Sequence, residues 1–347
     1  MKKSLITLAA LGTLSAGAFA QSSVTIYGKV DLGLVVDTGS PSGKAVRLSS
    51  PAAGSRLGFK GVEDLGDGYK AAFILETGVC VDSAAGAPNF CTGSNQFFGR
   101  QAHGDLSGSF GTLSAGRQFS QGYNTLAIVD PFQLGYAGQT INTDGKGTFV
   151  VDNSGARLNN SVTYMTPVID NFTAAAEISL GETTGNFRSG RELGGSVNYS
   201  SGPAFASVTY YNLDNPNGIG TNHTVTTAAG VYDFGVVKAH ALIQKVTGNP
   251  TGAATVDIVN TLIGATVPLG TAGRVIGSFI HHDDRTAADK DTNQLGLGYV
   301  YPLSKKTSTY VAWARNQNRH DAGFLIGNGT ETGTGNQSFN LGFTINF

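Results

Sequence analysis

The chain has 347 residues, with 24 acidic and 23 basic side chains and a formal net charge of −1. This near-neutral balance argues against a partner such as nucleic acid, which requires a strongly basic surface. Charged residues make up 14% of the chain, against about 25% in an ordinary soluble domain. Beyond the first twenty residues no stretch of ~20 consecutive apolar residues occurs, so the sequence predicts no transmembrane helix.

The N-terminal segment predicts a secretory signal peptide over residues 1–20. Two lysines follow the initiating methionine, and the apolar run over 5–18 is too short to span a bilayer. Small residues precede a predicted cleavage between Ala20 and Gln21. The mature chain is therefore expected to be a single exported domain over 21–347.

Alternation of apolar and polar residues begins directly after this segment. Val24, Ile26 and Leu34 share one face of the first strand, and Lys29 and Asp31 share the other. The same pattern recurs in segments of 9–12 residues down to the C-terminus. Short connections rich in Gly, Pro, Asn or Asp fall at 64–68, 108–111, 167–171, 200–203, 233–235, 268–273 and 302–306. Longer ones fall at roughly 37–48, 78–95, 118–156, 181–191, 213–223, 246–255, 284–291 and 317–335.

Seven short and eight long connections join sixteen strands and leave both termini on the short-turn side. The fold class predicted is all-β, a 16-stranded antiparallel transmembrane β-barrel with short periplasmic turns and long external loops. A soluble β-sandwich is the alternative, but it needs no such rhythm. The outer membrane of a Gram-negative bacterium is the expected location.

Two cysteines, Cys80 and Cys91, lie within the second long connection. In an exported protein such a pair predicts a disulfide, with two free thiols as the alternative. The loop then either contacts a neighbouring subunit or is simply protected from proteases.

The C-terminal nine residues carry the sharpest strand signal. Phe339, Leu341, Phe343, Ile345 and Phe347 alternate with small or polar residues up to the final position. A strand that closes a membrane barrel has this pattern, with one face toward lipid and the other toward water.

Several motifs, in order along the mature chain, resemble the general porins of Gram-negative bacteria, of the β-proteobacterial type. The resemblance implies a homotrimer for passive diffusion of small hydrophilic solutes and ions, with the third loop folded into the pore. It also implies contact with outer-membrane lipid and lipopolysaccharide, and recognition of Phe347 by the barrel-assembly machinery. The motifs are Val24-Thr25-Ile26-Tyr27-Gly28, Ser55-Arg56-Leu57-Gly58-Phe59-Lys60-Gly61, Glu63-Asp64-Leu65-Gly66-Asp67-Gly68, Gly99-Arg100-Gln101-Ala102, Gly116-Arg117-Gln118, Arg157-Leu158-Asn159-Asn160-Ser161-Val162 and Leu303-Ser304-Lys305-Lys306-Thr307.

Strand parity predicts which basic residues line the pore. Lys29, Arg56, Lys60 and Arg157 alternate with apolar neighbours and are expected to point inward, while the inward direction of Arg100 rests on the resemblance. Fixed positive charge in a narrow lumen favours anions. Purely structural pairing with carboxylates or loop carbonyls is the alternative for each arginine. A weaker candidate is Arg117, which points inward only if its strand is interrupted.

The opposing acidic side is expected on the third loop. Asp130 is the first candidate, with Asp144 and Asp152 behind it. The loop reads Asp130-Pro131-Phe132-Gln133, whereas the family often carries a Pro-Glu-Phe-Gly-like turn here. Glu76 and Glu177 are also inward by parity.

Together these features predict a passive channel with mild anion preference, and not an enzyme. Alternatives on the same barrel are a substrate-specific channel for phosphate or a dicarboxylate, and a barrel without an open pore. No cofactor is expected. No metal site is expected either, because the adjacent ligands His281 and His282 would point to opposite faces of a strand. No nucleophile motif accompanies His240, which is inward by parity.

Overall fold

The computed structural model describes residues 23–82, 96–143, 149–215, 221–249, 255–328 and 331–347. The predicted signal peptide, Cys91 and Asp144 lie outside these ranges, so the predictions for them remain untested. Within the described residues the chain forms seventeen strands and one α-helix. They are β1 Ser23–Ser40, β2 Gly43–Ser49, β3 Arg56–Gly66, β4 Tyr69–Gly78, β5 Gln101–Gly108, β6 Gly111–Phe119, α1 Gln121–Val129, β7 Arg157–Met165, β8 Phe172–Ser179, β9 Glu192–Ser201, β10 Ala204–Leu213, β11 Thr221–Asp233, β12 Lys238–Asn249, β13 Val256–Pro268, β14 Arg274–Asp284, β15 Thr292–Pro302, β16 Thr307–Asn318 and β17 Gln337–Asn346.

All strands belong to one antiparallel sheet that closes on itself. The first and last strands pair, with Lys29 opposite Asn346 and Val36 opposite Phe339. On its other edge, β1 pairs with β3 through its first half and with β2 through its second half. Because β2 and β3 share one position in the wall, the described strands make a closed barrel of sixteen positions. The predicted fold class is confirmed.

Residues 50–55 interrupt the second wall position and form what we call the strand break. Asp31 of β1, fully buried, holds this segment. Its carboxylate accepts the backbone N–H groups of Ala52 at 2.6 Å and Ala53 at 3.1 Å, and the Tyr310 hydroxyl at 2.8 Å. No motif in the sequence predicts this interruption. It matters because Arg56 begins the next strand immediately below it.

The two barrel faces follow the predicted alternation. On β17, Leu341 and Ile345 are exposed on the outer face, while Asn340 and Thr344 are buried on the inner face. The terminal residue Phe347 exchanges backbone hydrogen bonds with Gly28 and so completes the seam between the chain ends. Among the described residues, none of the helical segments has the length and apolar character needed to cross a membrane.

One predicted loop is wrong. The segment 37–48, expected to be the first long connection, is mostly strand: β1 and β2 form a hairpin with only residues 41 and 42 between them. Val46 is exposed on the outer face, and Arg47 on the other face pairs with Asp37 at 2.8 Å. The sequence does alternate at these positions, but the polar residues around the turn favoured the interpretation as a loop.

Candidate pore constriction

Loop 3, residues 120–156 between β6 and β7, folds into the barrel and begins with α1. The Ser120 side chain accepts the N–H of Tyr123 and caps the helix. The inner-face carboxylate of Glu177 accepts the N–H of Gln121 at 3.1–3.2 Å, so a negative charge lies at the positive end of the helix dipole. Ser120 and Glu177 therefore fix where the loop enters the lumen.

The helix lies against the inner face of β9–β12, and further along loop 3 the Tyr136 ring contacts the Tyr310 ring of β16. Two wall histidines hold the loop backbone. His240 binds the Val129 carbonyl and His282 binds the Val150 carbonyl, each at 2.9 Å. Beneath the loop is an apolar cluster that lies inside the barrel, composed of Leu126, Val129, Leu134, Val150, Val151, Leu242, Leu262, Ile280 and Phe324. We call the inner face of β9–β16 the covered wall.

The tip of loop 3, at Pro131 and Phe132, packs against glycines of the wall. A Cβ atom at Gly264 would clash with Pro131, and one at Gly298 would clash with Phe132. These glycines therefore permit the close approach of loop 3 to the wall. Beyond the tip, the N–H of Tyr136 donates to the carbonyl of Pro51 at 2.5 Å. The strand break therefore meets loop 3, and the two together narrow the lumen.

Asp130 lies inside the loop and not opposite the arginines. It is 1% exposed. Its carboxylate accepts the N–H groups of Phe132, Leu134 and Thr140 at 2.9–3.1 Å. Burial raises the pKa of Asp130 to about 6, against the opposite effect of these donors. The expectation that Asp130 forms an acidic pore lining is therefore corrected: this carboxylate organises a turn whose residues Gln133 and Leu134 have positive φ.

Asp152 is at the far end of loop 3. Its carboxylate pairs with His223 of β11 at 2.9 Å and accepts the N–H of Ser154 at 2.7 Å. Of these three residues, His223 belongs to the outer rim of the covered wall. Within the described part of loop 3, Asp130 and Asp152 are the only charged residues, and each has its charge or hydrogen-bonding capacity engaged.

The opposite side of the lumen carries what we call the basic wall: Lys29, Arg56, Lys60, Arg100 and Arg157. Its centre is Glu76 of β4. The Glu76 carboxylate accepts Arg100 Nε at 2.7 Å and the Tyr27 hydroxyl at 3.1 Å, and it lies 3.6 Å from Arg56 Nε. Arg56 also donates from Nη1 to the carbonyl of Ala53 in the strand break at 3.2 Å. Glu76 thus positions two guanidiniums side by side despite their mutual repulsion.

The other basic side chains extend this group along the wall. Lys29 lies directly opposite Arg56 in the strand pairing, so the two share the inner face. The ammonium of Lys60 lies 5.4 Å from the centre of the Tyr27 ring. At the upper end, the Arg157 guanidinium is 4.9 Å from the centre of the Phe119 ring. Arg157 is also close enough to Arg100 and Glu76 to interact with them electrostatically.

Arg117 is held by the wall itself. It donates to the Gly99 carbonyl at 2.7 Å and to the Asn159 side chain. The strand pairing is irregular between Gly116 and Gln118, as the sequence argument required, but these contacts are to the wall and not to Glu76. On the neighbouring strand, Leu158 shares the parity of Val162 and Tyr164, which predicts a lipid-facing side chain. It is instead buried in an inner apolar cluster, because a kink with positive φ at Asn160 shifts the alternation.

The face that α1 turns toward the lumen is neutral. Gly122, Thr125, Leu126 and Val129 are buried against the covered wall, so the exposed residues Asn124 and Ile128, one turn apart, face the pore. Tyr123 is half-buried, stacks on Phe119 with ring centres 4.6 Å apart, and lies within electrostatic range of Arg56 and Arg157. As far as the described residues go, the eyelet is therefore basic on one side and uncharged on the other.

His281 and His282 of β14 point to opposite faces of their strand, as the sequence predicts. His282 points inward to loop 3, whereas His281 binds Asn293 at 2.8 Å. Among the described residues, Asp289, Asp291 and His320 place ligand atoms within 4.8 Å of one another on the external loops. They are at the rim, outside the constriction.

Sequence reasoning missed the strand break and the covered wall. The break carries no strong motif. The covered wall did leave a signal: β12–β14 contain neighbouring apolar pairs, such as Leu242-Ile243 and Leu262-Ile263, where a strand with one wet face would alternate. Adjacent apolar residues indicate burial on both faces.

A closed barrel with an apolar outer face, a charged lumen and an inward-folded loop defines an outer-membrane channel. The sequence model of the Gram-negative porin family matches residues 7–321, and the chain belongs to this family. It is 34% identical to outer membrane porin protein 32 of Delftia acidovorans, over 93% of this chain and 92% of that protein. It is 28% identical to the major outer membrane protein P.IB of Neisseria lactamica, over 96% and 98%.

Among solved structures, the anion-selective porin from Comamonas acidovorans matches with a TM-score of 0.81 and 30% identity. The match covers 94% of this chain and all of that one. The chain is thus an outer-membrane porin of a Gram-negative bacterium, a channel and not an enzyme.

Proposed function

We propose that this porin is anion-selective and that the basic wall is its selectivity element. The observation that carries the proposal is the one-sided eyelet: five basic side chains lie on one wall, where Glu76 pairs with Arg56 and Arg100, and they face a helix surface without charge. A cation in the eyelet meets no described acidic group on the loop side. The solved porin from Comamonas acidovorans, with which this chain shares its fold and 30% of its residues, is described as anion-selective.

The arrangement acts on ions through the field of fixed charges. Guanidiniums remain charged at all accessible pH values. Low-dielectric walls concentrate their field in a narrow lumen. Because Glu76 is shared between Arg56 and Arg100, the net charge of the group stays positive. An entering anion therefore exchanges part of its hydration for favourable charge interactions, whereas a cation is repelled.

The test is the reversal potential of the purified protein in a planar bilayer under a KCl gradient. Chloride should be more permeant than potassium, and Arg157→Gln should reduce the chloride-to-potassium permeability ratio roughly twofold to threefold, since a unit charge about 6 Å from an ion in water contributes about 0.7 kcal/mol. The matched control is Arg188→Gln, which removes the same charge from a side chain that is 73% exposed on an external loop. Cation preference in the unmodified protein would refute the proposal.

We also propose that the mature chain, residues 21–347, assembles as a homotrimer in outer-membrane lipid, with lipopolysaccharide on its outer leaflet side. The family resemblance supports the trimer, and the apolar outer face supports lipid contact. We propose that the barrel-assembly machinery recognises Phe347, which lies at the barrel seam. Native mass spectrometry of the detergent-extracted protein tests the trimer, and a single-subunit mass would contradict it.

A further inference from the structure

Tyr310 of β16 is a buried residue that reaches across two neighbouring strands to the strand break. Its hydroxyl donates to Asp31 of β1 at 2.8 Å, although β17 lies between β16 and β1 in the sheet. Gly342 lies directly opposite Tyr310 in the strand pairing, and Gly33 lies directly opposite Gly342. A Cβ atom at either glycine would clash with the Tyr310 hydroxyl. The two glycines therefore provide the path along which this side chain reaches Asp31.

The two oxygens of the Asp31 carboxylate have different partners. Tyr310 donates to Oδ1, whereas Oδ2 accepts the N–H groups of Ala52 at 2.6 Å and Ala53 at 3.1 Å. The carbonyl of Ala53 in turn accepts Arg56 Nη1 at 3.2 Å. Hydrogen bonds therefore connect the uncharged Tyr310 to a guanidinium of the basic wall, through one carboxylate and one residue of the strand break.

Arg56 depends on the Ala53 carbonyl more than Arg100 depends on the strand break. Glu76 accepts Arg100 Nε at 2.7 Å, but it lies 3.6 Å from Arg56 Nε, which is too far for a normal hydrogen bond. The Arg100 guanidinium also repels that of Arg56. Of the contacts that Arg56 makes with Glu76 and with Ala53, the one with Ala53 is therefore the closer, and it fixes the guanidinium in the eyelet.

From this chain of contacts we propose that Tyr310 is a positioning residue for ion selection. Through Asp31 and Ala53, it holds the Arg56 guanidinium where its charge acts on passing anions. Because Tyr310 carries no charge, it affects selectivity through the location of a charge and not through the number of charges. The inference rests on the proposed anion selectivity of the basic wall, and it adds the residue that aligns one member of that wall.

Support of loop 3 is the competing explanation for the position of Tyr310. Its ring packs edge-on against Tyr136 of loop 3, with ring centres 4.9 Å apart. Loss of this packing would loosen the loop and weaken the field of every guanidinium in the eyelet. Tyr310→Phe separates the two roles, because it keeps the ring that contacts Tyr136 and removes only the hydroxyl that binds Asp31.

The experiment measures reversal potentials in a KCl gradient for the unmodified protein, Tyr310→Phe, Arg56→Gln and the double variant. Arg56→Gln should lower the chloride-to-potassium permeability ratio roughly twofold to threefold, by the field argument applied to Arg157. Tyr310→Phe should lower the ratio about 1.6-fold, as expected when a unit charge in water moves from about 6 Å to about 10 Å from an ion. In the double variant Tyr310→Phe should have no further effect, because the charge that it positions is already absent.

Tyr164→Phe is the matched control, because it removes a tyrosine hydroxyl that donates to the Phe110 carbonyl at 2.6 Å, at a periplasmic turn. It should leave the permeability ratio unchanged. If Tyr310→Phe yields no channels, Gly33→Ala replaces it with the same expectation, because the added Cβ would displace the hydroxyl without changing any charge. An unchanged ratio in Tyr310→Phe, or an equal reduction with and without Arg56, would overturn the proposal.

Failure of anion selectivity itself gives a different result. Potassium preference in the unmodified protein would refute the basic wall as an anion-selecting element. Chloride preference that does not respond to Tyr310→Phe would refute only the positioning role of Tyr310. The two failures are therefore distinguishable in the same recordings.

Discussion

The basic wall and the covered wall are built from the same kind of strand and lead to opposite outcomes. Inner-face residues of β3 and β4 face the open lumen and include Arg56, Lys60 and Glu76. Inner-face residues of β12–β14 meet loop 3 and include Leu242, Leu262 and Ile280. Both sets point into the barrel. Only one of them lines the pore, because loop 3 lies along one side of the lumen and not in its middle.

This difference shows that an inward-facing side chain can either line the pore or be buried beneath loop 3. Opposite the loop, charged side chains pair with one another around Glu76 and act on passing ions. Beneath the loop, a charge would lose its water, and the positions are taken by apolar side chains or by groups such as His240 and His282 that donate to loop carbonyls. Selectivity and loop order should therefore respond to separate sets of substitutions.

The largest effect is expected from Asp130→Ala, beneath the surface of loop 3. Three backbone N–H groups would lose their shared acceptor, at a cost of roughly 3 kcal/mol or more for burying them unpaired. The turn with positive φ at Gln133 and Leu134 would lose its support. Open-channel current should become noisy, with frequent excursions to higher conductance, in single-channel recordings.

The control for Asp130→Ala is Arg157→Gln, which should change ion selectivity and leave the current quiet. Quiet, unaltered channels in Asp130→Ala would show that the carboxylate does not order the loop. A shift in selectivity without added noise would instead place Asp130 among the pore-lining charges.

Neighbouring residues on β13 test the covered wall more finely. Leu262→Ala leaves a cavity beneath loop 3 and should cost about 2–4 kcal/mol. Ile263→Ala removes a lipid-facing side chain, 66% exposed on the isolated barrel, and should cost about 1–2 kcal/mol of membrane burial. Both should lower the resistance of the folded barrel to guanidinium. Only Leu262→Ala should raise current noise, and equal noise in both variants would argue against a packed loop.

The sequence predicted the barrel well because alternation is a local property that each strand displays. The outward residues of β1 and β17, the strand number and the positions of most connections all follow from period-two patterning and turn residues. The inward direction of Glu76 and Glu177 follows in the same way. These predictions require no knowledge of how the loops are placed.

The constriction was less predictable because its composition depends on contacts between distant segments. Asp130 has the charge expected of a pore lining, yet its surroundings are the N–H groups of its own turn. Leu158 has the sequence parity of lipid-facing Val162 and Tyr164, yet the kink at Asn160 places it in an inner apolar cluster. The strand break gains its meaning only from Tyr136, 85 positions further along the chain than Pro51. Local pattern therefore gives the direction of a side chain only along a regular strand, while the tertiary fold decides whether that side chain is exposed.

The smallest effect is expected from Glu76→Gln, at the centre of the basic wall. Glutamine can still accept one hydrogen bond from Arg100 or Tyr27, so the wall should keep its shape. Loss of the carboxylate that pairs with Arg56 and Arg100 should raise the chloride-to-potassium permeability ratio about twofold, by the same field argument that applies to Arg157. Reversal potentials in a KCl gradient measure this.

Glu63→Gln is the matched control for Glu76→Gln, because it removes an exposed carboxylate from the periplasmic end of β3. Equal shifts in both variants would mean that overall charge sets selectivity. A shift toward potassium in Glu76→Gln would mean that Glu76 acts chiefly by holding Arg56 and Arg100 in place, since displaced guanidiniums would then outweigh the lost negative charge. An increased preference for chloride confined to Glu76→Gln would place the selective field at the eyelet, where the basic wall and the neutral face of α1 meet.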